Sequence, residues 1–265
     1  MKKRINTSLV AHILTLTLLF SCTNMEKKEA AICQDLKPTT RSNASWDYPV
    51  KPGMDEWDKL TTEKERIAVL QVPESILARL TTEEVVELCI TFPHFGLFTA
   101  FQTPQDGFDI MVERYNLFPH LLKLHDAGKC LIPAYKDAGM SGFNSLPYSN
   151  EFWTIKIYYV ELLLSQKEVL EPMVQEEKLE LLIEARKKID EKIVDDSFSS
   201  VPGIEPTLRI MASILALEEY PEFVSSPNKQ PNSYFIQTGR LGDLSSINEI
   251  IRIADAYIIS NTQSE

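Results

Sequence analysis

Four histidines and four cysteines are the residues here best suited to metal binding or nucleophilic chemistry, and their spacing keeps them apart. His120 and His125 stand five residues apart, which puts them on different faces of any helix. His94 follows Pro93 at an expected helix end, where satisfying a terminal carbonyl is a sufficient role. Neither His-Glu-x-x-His nor Cys-x-x-Cys occurs, so a metal site would have to gather its ligands from distant segments. Gly139-Met140-Ser141-Gly142 places a serine near glycines but lacks the Gly-x-Ser-x-Gly spacing of a nucleophile elbow, and no strand signal precedes it. Nine glycines in 265 residues supply no glycine-rich phosphate loop. With 38 acidic residues, carboxylate pairs occur everywhere. Glu151 and Asp109 can be named as hydrolytic acids, but spacing alone does not single them out. The expectation is therefore no catalytic residue, no cofactor and no metal.

The cysteine with the clearest chemistry is Cys22. Met1-Lys2-Lys3-Arg4 forms a positive start, and residues 9–20 are mostly apolar. That run suits a signal peptide and falls short of the ~20 residues that cross a bilayer. It closes with Leu19-Phe20-Ser21-Cys22, which resembles the lipobox of bacterial lipoproteins; Phe20 is larger than the residue usual there. The resemblance implies that residues 1–21 are removed and that Cys22, through its nucleophilic thiolate, carries a diacylglyceryl group. Acyl chains contribute roughly 0.8 kcal/mol per buried CH₂, and two or more hold a protein stably on a membrane. The expected location is the bacterial cell envelope, most simply the outer membrane, with the face undetermined.

Loss of residues 1–21 removes Lys2, Lys3 and Arg4 and no acid, so the net charge of −11 becomes −14. So acidic a chain is unsuited to nucleic acid, whose affinity comes from Lys and Arg on phosphates. It is equally unsuited to adhesion on anionic lipid, which leaves the N-terminal lipid as the membrane contact. At 44% hydrophobic residues the chain can bury a sizeable core. Cys33, Cys89 and Cys130 show no disulfide framework. Cys89 shares one helical face with Val85, Leu88 and Phe92 and reads as a small core residue.

Residues 22–45 are polar and unpatterned, a tether. Residues 46–57, WDYPVKPGMDEW, carry more aromatic rings than a linker needs and are expected to pack across the domain. From there helix signals dominate. Thr62 with Glu65 and Thr81 with Glu84 fit capping boxes, and Thr103 precedes Pro104 as an N-cap. Gly128 and Gly139 read as helix stops. Ser246 with Glu249 reads as the cap of a last helix whose stripe is Ile247, Ile250, Ile251, Ala254 and Ile258. Residues 152–164 and 208–217 are apolar nearly all round and belong in the middle of a bundle. Residues 174–194 show a narrow stripe (Leu182, Ala185, Ile189, Ile193) and a dense charged face that reads as a solvated outer surface. Within residues 233–242, Thr238-Gly239 leaves room for a minor β hairpin. The fold class is all-α: an irregular multi-helix bundle or α-solenoid-like array of about nine or ten helices. A single domain spans residues 46–262, with sub-halves 46–139 and 150–262.

Phe92, Phe95, Phe98, Phe101 and Phe108 crowd a segment broken by two prolines and two glycines. Phe95, Phe98 and Phe101 are candidates for an aromatic-lined groove that binds a partner; a buried corner between short helices explains the same spacing. Tyr148 and Asn150, in residues 143–153, are the other partner-binding candidates.

Residues 46–57, then 72–93 (VPESILARLTTEEVVELCITFP), 107–116 (GFDIMVERYN) and 126–136 (DAGKCLIPAYK), resemble a group of exported proteins and lipoproteins of Bacteroides-type bacteria. The likeness covers about residues 46–137. It implies an exported compartment and no catalytic residues. The function expected is that of a lipid-anchored, non-enzymatic envelope protein binding a protein or saccharide partner. A hydrolase using carboxylates on envelope or polysaccharide substrate, and a purely structural envelope protein, are the alternatives.

Overall fold

A computed structural model describes residues 46–137, 150–194 and 201–263. They belong to one compact unit, Pro38–Glu265. Among the described residues the fold is all-α, with fourteen α-helices, one 3-10 helix and no strand. The front part runs α1 (Asp55–Asp58), α2 (Glu63–Val69), α3 (Glu74–Leu77) and α4 (Thr82–Ile90). The 3-10 helix Phe95–Ala100, α5 (Pro104–Arg114), α6 (Leu117–Leu121) and α7 (Ala127–Asp137) follow. The back part runs α8 (Asn150–Leu164), α9 (Lys167–Leu170), α10 (Gln175–Val194), α11 (Val201–Leu217), α12 (Pro221–Val224), α13 (Lys229–Thr238) and α14 (Ser245–Thr262). No described helix is long and apolar enough to cross a membrane.

The helix starts follow the sequence. Thr62, Thr81 and Thr103 each accept from the backbone N–H three residues on, and Glu65, Glu84 and Asp106 reach back to complete three capping boxes. The opening segment also packs its rings. Tyr48 is buried and lies 4.6 Å from Trp46 and 5.8 Å from Phe92, centroid to centroid. Phe92 continues the cluster to Tyr115 at 4.8 Å and Phe118 at 5.0 Å. Edge-to-face contacts of this kind add to area burial. Cys89 is a buried thiol, and burial pushes its pKa up, consistent with a core role.

α11 is the hub. It packs against α8, α9, α10, α12, α13 and α14. Contacts also join sequence-distant pairs such as α5 with α13 and α7 with α10. A helix surrounded this way belongs to a bundle, since a solenoid unit touches only its neighbours in sequence.

Three expectations are overturned and a fourth holds only in part. The hairpin at residues 233–242 is instead the end of α13 and its exit. Gly239 takes φ +75 and its N–H donates to the Phe235 carbonyl at 2.8 Å, so the glycine closes a helix and not a strand turn. Gly128 is not a stop but the second residue of α7. A Cβ there would lie 2.6 Å from Met173 Sδ and 2.7 Å from the Val169 carbonyl, so the glycine serves close approach to α9 and the turn after it. Ser246 does not cap α14. It is buried in the first turn, Leu244 is the N-cap, and Glu249 accepts from Ser226 and Asn228. The buried face of α14 therefore runs through Ile250, Ile253, Ala254 and Tyr257. The charged face of α10 is solvated only in part: Glu176, Glu180, Lys187 and Asp190 are exposed, but Lys178, Glu184, Lys188 and Lys192 are buried. Leu182, Ala185 and Ile189 are buried as expected, while Ile193 is 47% exposed and Lys192 faces inward in its place.

Candidate functional site

The charges that α10 turns inward meet charges hidden in the apolar helices. Glu161, in α8, is fully buried. Its Oε1 accepts from Tyr135 Oη of α7 at 2.9 Å and from Thr207 Oγ1 of α11 at 2.6 Å. Its Oε2 accepts from Lys192 Nζ of α10 at 2.7 Å. Lys192 also donates to Thr207 Oγ1 at 2.8 Å and to the Gly203 carbonyl at 3.2 Å. Burial pulls the Lys192 ammonium below the usual lysine range, and Glu161 opposes that shift. Burial and the Glu161 charge push Tyr135 well above the usual phenol range. One residue from each of three helices is thus tied to a single carboxylate on a fourth, with its bonds satisfied, which suits a locked core more than a reacting centre.

A cavity of about 410 Å³ opens where α5, α9, α11 and α13 meet the end of α8. Its inner polar lining is built on Arg209 of α11 and on Gln105, Gln166 and Ser213, with Lys167 and Glu168 exposed at its mouth. Arg209 is only 5% exposed. Its Nε donates to the Ile236 carbonyl at 2.9 Å and its Nη2 to Gln105 Oε1 at 2.5 Å, while Nη1 has no partner. Gln105 and Gln166 face each other as a reciprocal amide pair at 3.1 and 3.3 Å, and Gln105 Nε2 also donates to Asp109 at 2.7 Å. Ser213 Oγ is buried and without a partner. Every acceptor that Arg209 reaches among the described residues is neutral. Burial lowers its pKa, yet a guanidinium stays charged at neutral pH.

The lining includes one carboxylate, Glu168, which is exposed. Asp109 is exposed, held by Gln105 and outside the lining. The Glu151 side chain lies outside the described residues. Among those residues, no three His, Cys, Asp or Glu are grouped to hold a metal ion. His94 meets no helix-end carbonyl but Tyr115 Oη, at 3.2 Å from Nδ1, against the Trp57 ring.

The aromatic candidates sit elsewhere. Phe95 and Phe98 lie in the 3-10 helix and Phe101 caps it. At three residues per turn a 3-10 helix stacks positions three apart, so their spacing puts them on one side. Phe98 is 2% exposed, with Tyr158 at 5.2 Å and Tyr159 at 6.2 Å. Phe95 is half-buried beneath Lys156 Nζ at 4.5 Å. None of the three lines the cavity. Tyr148 lies outside the described residues, as does the side chain of Asn150, whose backbone begins α8. Cys22 also lies outside them.

Arg209 and Glu161 lie in segments read as apolar nearly all round, although a charge inside such a helix was itself the available signal. Ser213 and the two glutamines carry no such mark. Compared with known proteins, the chain matches no family model, and no curated protein or solved structure is detectably similar.

Proposed function

We propose that the chain is a lipid-anchored, non-enzymatic envelope protein, held at the membrane through Cys22, that binds a ligand in the cavity beside Arg209. The observation that supports binding is the lining itself. It presents a buried guanidinium, three amides and an unpartnered hydroxyl, groups that hold and orient a molecule. Its single carboxylate does not supply the acid and base pair that the hydrolytic alternative needs. The anchor rests on the Leu19-Phe20-Ser21-Cys22 pattern and on the acidic charge, which leaves acyl chains as the means of attachment.

Two variants test the reading. Cys22→Ser should move the protein from the membrane fraction to the soluble fraction; retention without detergent would overturn the anchor. Ala216→Trp fills the cavity from a half-buried wall position. Native mass spectrometry of protein taken gently from its own membranes should show a bound molecule on wild type that Ala216→Trp has lost, at unchanged helicity. An empty wild-type chain, or identical cargo on both, would overturn the binding reading.

A further inference from the structure

Arg209 has five N–H groups and uses two of them, one on Ile236 and one on Gln105. Taking a cation out of water is costly unless an opposite charge answers it. Here the nearest answer is indirect, relayed through Gln105 to the exposed carboxylate of Asp109. The Ser213 hydroxyl, also in the lining, is a second buried group with unused hydrogen-bonding capacity. Two such groups on one helix, lining one cavity, call for an incoming acceptor that carries negative charge.

The charge balance sets how much. One guanidinium neutralises one negative charge. At the mouth the exposed Lys167 and Glu168 offset each other, and Asp109 lies outside the lining, so the buried guanidinium is the one charge left to answer a ligand, and a second negative charge would be uncompensated. The remaining wall is short and aliphatic, formed by Ala216, Leu217 and Ile236. At about 410 Å³ the space lies near the low end of small-molecule sites, roughly 300–1,000 Å³.

We infer that the cavity takes a small organic monoanion, its carboxylate held by Arg209 and Ser213 and its short carbon body against Ala216, Leu217 and Ile236. The inference rests on the cavity being a ligand site. It assigns the class of ligand.

Isothermal titration of the full chain in detergent tests it with three probes: isovalerate, its neutral amide isovaleramide, and inorganic phosphate. Isovalerate should bind, with the amide roughly 10- to 100-fold weaker because it forgoes a charge-assisted contact. Phosphate should bind more weakly than isovalerate. Replacing Arg209 itself risks the fold, so the decisive variant is Gln105→Glu. It sets a carboxylate at the 2.5 Å contact with Nη2, neutralises the guanidinium from inside and competes with the ligand. It should weaken isovalerate at least tenfold at unchanged helicity, and Ser213→Ala should weaken it several-fold. Equal binding of acid and amide, or isovalerate binding untouched by Gln105→Glu, would overturn the anion assignment and leave the cavity reading standing. Tighter phosphate would overturn the monocarboxylate. Binding by none of the probes would overturn the inference, while the native mass spectra separately decide whether the cavity holds anything.

Discussion

Lys156 shows what burial does to a single side chain. Its ammonium lies 4.5 Å above the Phe95 ring and 5.5 Å from that of Tyr159, faces that attract a cation but do not replace water. Burial lowers its pKa from 10.5 to about 8, with Glu87 pulling weakly the other way. A depressed lysine pKa makes the unfolded chain the better proton binder between about 8 and 10.5. Stability from this residue is therefore lowest below pH about 8 and rises with pH through that window. Competitive acetylation read by mass spectrometry should show Lys156 titrating near 8, well before the exposed lysines. A midpoint for Lys156 equal to theirs would show that its ammonium is fully hydrated. The sequence marks Lys156 only as a charge in an apolar run, because Tyr159 is a local neighbour but Phe95 comes from a segment about sixty residues away.

Glycines set how closely the elements approach. At Gly107 in α5, a Cβ would stand 2.4 Å from the Phe98 carbonyl oxygen and 2.5 Å from Phe98 Cα, so the obstacle is backbone. Alanine there gains up to about 1 kcal/mol of helix propensity. It meets an overpacking cost of roughly 1–3 kcal/mol, and rigid backbone puts the cost at the upper end. Gly107→Ala should lower the midpoint of urea unfolding; Gly96→Ala, with open space around its Cβ, should leave it nearly unchanged. Equal effects at the two positions would refute the close-approach argument. Local codes were legible in the sequence here: two Thr capping boxes, the Thr103 N-cap and the aromatic opening are read within a few residues. Gly128 and Gly239 were misread because a glycine's local signature is the same for a stop, a turn and a close contact. Only the neighbour, Met173 for one and the preceding helix for the other, tells which.

On the scale of the molecule, Glu161 decides whether four helices behave as one body. The burial of α10's lysines was illegible because a charge run has the same pattern whether it meets water or a buried carboxylate. The outcome depended on Glu161 and Thr207, on helices distant in sequence. Glu161→Gln keeps an oxygen for Tyr135 and Thr207 but removes the carboxylate charge that answers the buried Lys192 ammonium. That should cost about 3–5 kcal/mol of unfolding free energy. Lys192→Met strands the carboxylate instead and should be comparably destabilising. The pair Glu161→Gln with Lys192→Met removes both charges while the amide oxygen still accepts both hydroxyls. It should be more stable than either single variant, a coupling measurable by a double-mutant cycle in urea. Costs that simply add would show the two charges to be independent. A strong coupling with one cooperative transition would show that α7, α8, α10 and α11 unfold together. The wall that carries Arg209 and Ser213 would then be held rigid by the same knot, since Thr207 stands two residues before Arg209 on α11.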